Sequence, residues 1–259
     1  MTITETTLTD VATDGIQARL DEYWSGRAEA YHHRQVAGDR APHDHALWLE
    51  VWGRALPPAP VRVLDVGTGS GYVASILAEL GHEVTGLDSS PGMVAEALAD
   101  AARRRASGRP AASFVRGDAV DPQGVGTDLD VVTSRYLLWT LRDPATALRA
   151  WMRLLRPGGT VVCVDANWYP GGFDRQVQVE STAGPDAFVE AYDADAEAHL
   201  PLATAADAEA YRDLFTGAGL TDVTVTRLDA VAELDRRFGM SPGHESRPQY
   251  LVTGRTPRA

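Results

Sequence analysis

Residues 61–71, Val61-Arg62-Val63-Leu64-Asp65-Val66-Gly67-Thr68-Gly69-Ser70-Gly71, decide the fold. The first half is a short apolar run of the kind a buried strand makes. The second half is a turn built on alternating glycines. Glycines between a strand and a helix let a ligand approach the backbone closely, and the free N–H groups at the helix start favour anionic or polar groups. The spacing discriminates further. A dinucleotide fingerprint, G-x-G-x-x-G, would put its third glycine at position 72, where this chain has Tyr72; the third glycine falls one earlier, at Gly71. An acid, Asp65, stands two residues before the first glycine.

Downstream of the turn, strands and helices alternate. A helix follows over 70–80, then a strand at 82–88 (HEVTGLD) and a helix from Pro91 to about Arg105. Further strands read at 113–118, 129–135 and 160–165, with an amphipathic helix from Pro144 to Leu155 and a Pro157-Gly158-Gly159 turn before the last of them. Repeated strand–helix–strand units of this length imply a mainly parallel sheet with helices on both faces, a Rossmann-like, doubly wound α/β fold. The last third departs from that pattern. Residues 166–203 mix Gly171, Gly172, Gly184, Pro185 and Pro201 with acidic residues and read as an excursion over the sheet. A helix (204–218), a strand (221–228), a short helix (231–238) and a final strand (248–254) follow. Two strands without a long crossover between them imply an antiparallel pair at the sheet edge, which brings the sheet to seven strands.

Upstream, residues 1–15 are polar and Thr-rich and read as a disordered tail. Residues 16–57 form a separate helical segment, with Ile16, Leu20, Tyr23, Trp24 and Tyr31 at loosely helical spacing, a loop at Gly38–His43 and a second helix over His45–Leu56. Pro57-Pro58-Ala59-Pro60 ends that segment, and residues 58–259 form the core domain.

Composition narrows the function. The 259 residues are 44% hydrophobic and 23% charged, which excludes a disordered or collagen-like chain. A net charge of −12 gives no basic surplus for gripping nucleic-acid phosphates, so no nucleic-acid partner is expected. Cys163 is the one cysteine, so no intrachain disulfide and no cysteine-based zinc site can form. No window approaches the ~20 apolar residues of a membrane helix, and the N-terminal stretch lacks the basic start and apolar run of a secretory signal. A cytoplasmic location without a membrane partner is the expectation.

Two further acids follow the glycine turn. Asp88, 23 residues after Asp65, ends the second strand, where a carboxylate can accept both hydroxyls of a ribose. Taken alone, Asp88-Ser89-Ser90-Pro91 is a helix N-cap. Asp118, in Gly117-Asp118-Ala119 after the third strand, can accept from an exocyclic amine. With Leu155-Arg156-Pro157-Gly158-Gly159 before the fifth strand, this ordered set resembles class I S-adenosylmethionine-dependent methyltransferases of the small-molecule type. The resemblance covers residues 20–165 by motif and extends to 254 by topology.

The resemblance implies S-adenosyl-L-methionine as cofactor and assigns roles by position. Gly67, Thr68, Gly69 and Gly71 line its methionine part. Asp65 orders the glycine loop and faces the ammonium. Asp88 takes the ribose hydroxyls with Ser89 beside it, Met93 packs against adenine, and Asp118 bonds the adenine amine near the Ala119 amide. Ser134 and Arg135 lie beside the methionine tail. An N-terminal helical lid supplies Tyr23, Tyr31 and Arg40, with Arg40 on the cofactor carboxylate, since a guanidinium can grip it bidentately.

The methyl acceptor is expected over the ends of the fourth and fifth strands, a small molecule from natural-product or intermediary metabolism methylated at O, N or C. His33, Tyr136, Trp139, Asn167 and Trp168 are its candidate contacts. A base is needed only if the nucleophile loses a proton; Tyr136, His32 and His244 are the candidates. Related enzymes use a histidine after the fourth strand, and Ser134-Arg135-Tyr136-Leu137-Leu138-Trp139 has none. No metal is expected, because His43-Asp44-His45 cannot aim both rings at one ion. A protein methyltransferase and a non-catalytic cofactor-binding subunit are the alternative readings. A monomer and a homodimer are equally compatible with the sequence.

Overall fold

A computed structural model describes residues 5–174, 186–239 and 245–258, the first ten as backbone alone. Two helices, α1 (Glu5–Val36) and α2 (Ala41–Ala55), precede the sheet. The strands are β1 (Arg62–Val66), β2 (Glu83–Asp88), β3 (Ser113–Arg116), β4 (Leu129–Arg135), β5 (Leu155–Ala166), β6 (Thr221–Arg227) and β7 (Gln249–Arg255). Between them run α3 (Tyr72–Glu79), α4 (Pro91–Ala106), α5 (Pro144–Leu154), two short helices α6 (Ala187–Ala191) and α7 (Ala194–Ala198), α8 (Glu209–Ala218) and α9 (Asp229–Phe238).

All seven strands join one sheet in the order β3-β2-β1-β4-β5-β7-β6. Strands β1 to β5 pair in parallel, and β7 is antiparallel to both β5 and β6. The expected antiparallel pair therefore forms one edge, with β7 on its inner side. The winding direction reverses between β1 and β4, so the loops after these two strands flank a crevice. Ligands of such sheets bind at that switch point.

Central strands bury both faces, and side chains alternate between two cores. Leu64, Val66, Val132 and Cys163 pack with Trp151 of α5 and Phe215 of α8 on one face. Val63, Val131, Val162 and Val164 pack with Trp48 and Trp52 of α2 and Leu77 of α3 on the other. A third cluster lies over the C-terminal ends of the strands, where Ile16 and Leu20 of α1 meet Trp139, Phe173, Phe188, Tyr192 and Leu200. Residues 168–173 and 188–203 are thus tied to the N-terminal helix by apolar contact.

Four boundaries differ from the sequence reading. The helix expected from residue 16 begins at Glu5, so most of the stretch expected as a disordered tail is helical. No proline interrupts residues 5–36, and Gly15 and Gly26 face open space. The loop expected at Gly38–His43 is shorter, because Pro42 sits in the first turn of α2, where its missing N–H has no helical partner to lose. The Pro157-Gly158-Gly159 turn is absorbed into β5 as a bulge, with Leu155 paired to Leu129 and Thr160 to Val131. Helix α8 starts at Glu209, later than the expected 204.

Gly71 caps α3 in a left-handed conformation (φ 83°), and a Cβ there would come within 2.7 Å of the Phe114 ring. Its role is close packing of helix on strand. Gly71→Ala should lower the unfolding free energy by roughly 2–5 kcal/mol, combining the left-handed penalty with overpacking. Gly108→Ala, also left-handed (φ 70°) but in open space, should lose only about 1–2 kcal/mol. Urea denaturation of the two variants checks the difference.

Candidate active site

Asp65 is buried, and both of its oxygens are used: Thr68 Oγ1 donates to one at 2.7 Å and Thr133 Oγ1 of β4 to the other at 2.9 Å. The loop is closed by Thr68 N donating to Leu87 O and Gly71 N to Thr68 O, both at 3.0 Å. Gly67 and Gly69 take the left-handed backbone this path needs, at φ 63° and 56°. Asp88 accepts from Gly69 N at 2.8 Å and from Ser90 N at 2.9 Å, so it orients the glycine loop from the second strand. The cap of α4 is Ser90, whose Oγ accepts from Met93 N. Burial pushes both carboxyls up, Asp65 and Asp88 each to about 6.

Gly67, Gly69, Asp88, Ser89, Met93, Gly117, Asp118, Ala119 and Arg135 line a slot of about 100 Å³ at the switch point. Helix α1 closes it with Gln17, Asp21, Trp24 and Tyr31. A hydrogen-bonded strap holds the helix there. Ser89 Oγ donates to Asp21 at 2.6 Å, Gln17 Nε2 donates to Asp21 at 2.8 Å, and Gln17 Oε1 accepts from Arg142 at 2.5 Å. Arg142 also forms an ion pair with Asp118. Alongside, Gly92 N donates to Ser25 Oγ at 3.2 Å, and a Cβ on Gly92 would come within 2.6 Å of Ser25 O.

A much larger cavity, about 1450 Å³, opens next to the slot. Trp24, Tyr31, Arg135 and Tyr136 border both spaces and mark their junction. The Arg135 guanidinium lies over three rings, Trp48, Tyr72 and Tyr136, at 4.9, 5.0 and 4.8 Å. Tyr136 is held at a left-handed φ of 60°, a strained backbone for a residue with a side chain. Its hydroxyl donates to Gln249 Oε1 at 2.5 Å, and burial raises its pKa. Behind it, the buried Asp165 accepts from Trp168 Nε1 at 2.8 Å and from the Trp139 amide at 3.3 Å. Trp168 meets Tyr136 edge-on at 5.2 Å, and Trp139 stacks on Tyr192 at 5.0 Å.

Several residues expected at the site lie elsewhere. Thr68 and Gly71 do not line the slot, because one is turned onto Asp65 and the other into the Phe114 packing. Asp65 is buried beneath the glycine loop and does not line the slot. Ser134 points into the core and donates to Cys163 Sγ at 3.1 Å. Asn167 is buried, with Nδ2 donating to Asp207 O at 2.8 Å. Arg40 is held by Asp44 at 2.7 Å and Asp235 at 2.8 Å, on the rim of the large cavity and not at the slot. Tyr23 also lines only the large cavity, where its hydroxyl accepts from Arg27 at 2.7 Å. His32 sits between α1 and α4, with Nε2 3.8 Å from Glu96 and 3.9 Å from Asp100, away from the junction. Tyr136 reaches the junction, but its proton is committed to Gln249, which removes it as a base. His33 is exposed on the rim of the large cavity. His244 lies outside the described residues.

Sequence reading missed Gln17, Asp21, Arg142, Trp48, Tyr72, Asp165 and Gln249. Among the described residues no group of His, Cys, Asp and Glu could hold a metal ion, and no helix is long and apolar enough to cross a membrane.

Residues 64–163 match a family model described as a methyltransferase domain. A demethylmenaquinone methyltransferase of Clavibacter sepedonicus is 33% identical over 125 residues, covering 48% of this chain and 49% of its own. A ubiquinone biosynthesis O-methyltransferase of Xanthomonas axonopodis pv. citri is also 33% identical over 125 residues, covering 48% and 51%. The chain thus spans about half the length of the curated relatives it matches. In fold it is similar to the Haemonchus contortus phosphoethanolamine N-methyltransferase 2 solved with S-adenosyl-L-methionine, with a TM-score of 0.57 at 18% identity over 82% of this chain and 53% of that one.

Burial pushes Asp165 up to about 7, as it pushes Asp65 and Asp88 to about 6, all from the ordinary 3.8. Each group thus favours its protonated form in the folded state. The stability this gives is complete below about pH 3.8 and is lost as pH rises through about 6 and then about 7. His82, lowered by burial, acts in the opposite direction, so the test compares variants. Between pH 5 and 7.5 the unfolding free energy of the wild type should fall more steeply than that of Asp165→Asn. The difference is bounded by about 1.4 kcal/mol per pH unit for one proton. Parallel profiles would remove Asp165 as the titrating group.

Proposed function

We propose that the protein is an S-adenosyl-L-methionine-dependent methyltransferase acting on a small molecule; the match of residues 64–163 to a methyltransferase-domain model and the order of the seven-stranded sheet support this reading. The observation that carries this reading is the junction itself. A slot with the half-buried Asp88 at its wall opens, at Arg135 and Tyr136, into a separate cavity large enough for a second substrate.

The slot's own groups fit the cofactor. Asp88 offers carboxylate oxygens to a ribose diol, and Met93 gives an apolar surface to adenine. Asp118 can accept from the exocyclic amine once it leaves Arg142. The Gly69 backbone is bare toward the slot, since a Cβ there would meet nothing closer than Met93 Sδ and Tyr31 Cε1, both at 3.9 Å. Pockets for ligands of this class run to ~300–1,000 Å³. A slot of about 100 Å³ therefore admits the cofactor only when α1 yields at Gln17 and Asp21. The bound cofactor supplies an electrophilic methyl group. The chain's task is then alignment and exclusion of water, which the return of α1 accomplishes.

At the junction the Tyr136 proton stays on its oxygen, so among the described residues Tyr136 does not serve the acceptor as a base. An acceptor whose nucleophile is already anionic, or needs no deprotonation, suits that environment. Names of relatives, demethylmenaquinone methyltransferase and ubiquinone biosynthesis O-methyltransferase, support a small-molecule acceptor from a biosynthetic route. A natural-product or metabolic intermediate methylated at O, N or C is the acceptor we propose. The lone buried Cys163 suits a reducing, cytoplasmic setting.

Calorimetry with S-adenosylhomocysteine and with NADH tests the reading. We expect binding of the first and none of the second; the reverse result would overturn it. Asp88→Ala should weaken S-adenosylhomocysteine binding roughly ten- to hundredfold, the range for charge-assisted hydrogen bonds. A lower melting temperature with unchanged affinity would leave Asp88 only its role in bracing the glycine loop.

A further inference from the structure

Arg135 has no carboxylate within ion-pair distance among the described residues. Among the described residues its guanidinium makes no ion pair and no hydrogen bond, and it is held only by the faces of Trp48, Tyr72 and Tyr136. The acids on the neighbouring wall are not free to neutralise it: Asp44 and Asp235 are both bound to Arg40, at 2.7 and 2.8 Å. A half-buried guanidinium stacked on aromatic rings keeps its edge N–H donors available, and those donors match the two oxygens of a carboxylate.

The direction of the group identifies its ligand. Trp48 and Tyr72 line the large cavity and not the slot, so two of the three rings that hold the guanidinium belong to the acceptor's side. In the same cavity, the Trp139 ring is fixed by Nε1 donating to Tyr136 O and the Trp168 ring by Nε1 donating to Asp165. They present rigid aromatic surface to whatever enters.

We propose that Arg135 is a specificity-determining anchor for the methyl acceptor, and that the acceptor is a planar aromatic compound carrying a carboxylate or an equally acidic oxygen. The anionic oxygen meets Arg135 at the junction, and the ring packs among the tryptophans and tyrosines beyond it. This rests on the methyltransferase reading for the word acceptor; the anion preference itself does not.

The test uses the full chain and two probes of one shape, 2-naphthoate and 2-naphthamide, titrated by intrinsic fluorescence with and without S-adenosylhomocysteine. The wild type should bind the carboxylate roughly ten- to hundredfold more tightly than the amide. Arg135→Met, which keeps an apolar side chain in the aromatic box, should lose that preference. Arg135→Lys, which keeps the charge without the planar fork, should retain part of it. Circular dichroism confirms that each variant is folded. Equal binding of the two probes by the wild type, no binding of either, or a preference that survives in Arg135→Met would each overturn the proposal. A survival accompanied by loss of S-adenosylhomocysteine binding would put the guanidinium on the cofactor's carboxylate. If the wild type binds no S-adenosylhomocysteine, the methyltransferase reading fails, while the naphthoate-to-naphthamide ratio still decides the role of Arg135.

Discussion

The Asp65 carboxylate is the point on which the site depends. It lies at the switch point, where β1 and β4 run side by side and their following loops diverge. A crevice there has to be held open by something other than backbone pairing. Asp65 does this from beneath, taking one hydroxyl from its own loop and one from β4. The bond to Thr68 fixes the turn, and the turn aims the Gly69 amide at Asp88. Asp88 in turn receives the start of α4 through Ser90. Three strands and a helix are thereby set in register by two acids, Asp65 fully buried and Asp88 half-buried. Desolvation opposes their ionised forms, and the hydroxyl and amide donors offset part of that cost.

The second layer of the site is built by α1. Its apolar half is drawn into the aromatic cluster with Trp139, Phe188 and Tyr192, and its polar half is strapped to Ser89 and Arg142. These two attachments differ in character. The apolar contact engages Ile16 and Leu20 with a large aromatic cluster, whereas the strap consists of a few side-chain bonds at the mouth of the slot. Bonds of that kind contribute about 1 kcal/mol each because water competes for the same groups. Helix α1 is thus held by apolar packing at one place and by side-chain hydrogen bonds at the other.

The sheet was legible because its signals are local. Apolar runs, glycine turns and prolines mark strand and helix within a few residues of themselves, and β4 lies over the same residues, 129–135, in sequence and structure. The acids at the strand ends were legible for the same reason, since Asp65 and Asp88 stand at fixed places relative to the turn. Helix α1 was legible only as an aromatic-rich helix. Which of its residues face the slot depends on how α1 crosses α4, and Gln17 and Asp21 carry no mark that separates them from surface polar residues. Arg40 illustrates the converse. A guanidinium in the lid is chemically suited to a carboxylate, but Asp235 lies 195 residues further along and satisfies it first. Thr68 and Ser134 were misplaced for a simpler reason: proximity along the chain to a site does not say which way a side chain points.

Arg135 and Tyr136 are adjacent, and a regular strand would send their side chains to opposite faces. The left-handed turn at Tyr136 ends that alternation and lets both reach the same junction. The two groups then divide the electrostatics between them. The tyrosine keeps its proton, because Gln249 accepts it and burial opposes the phenolate. The arginine keeps its charge, because the aromatic faces around it favour a cation. The junction thus carries a fixed positive charge beside a phenol that keeps its proton. The strained backbone at Tyr136 is therefore the local cost of a positively charged wall between the two cavities.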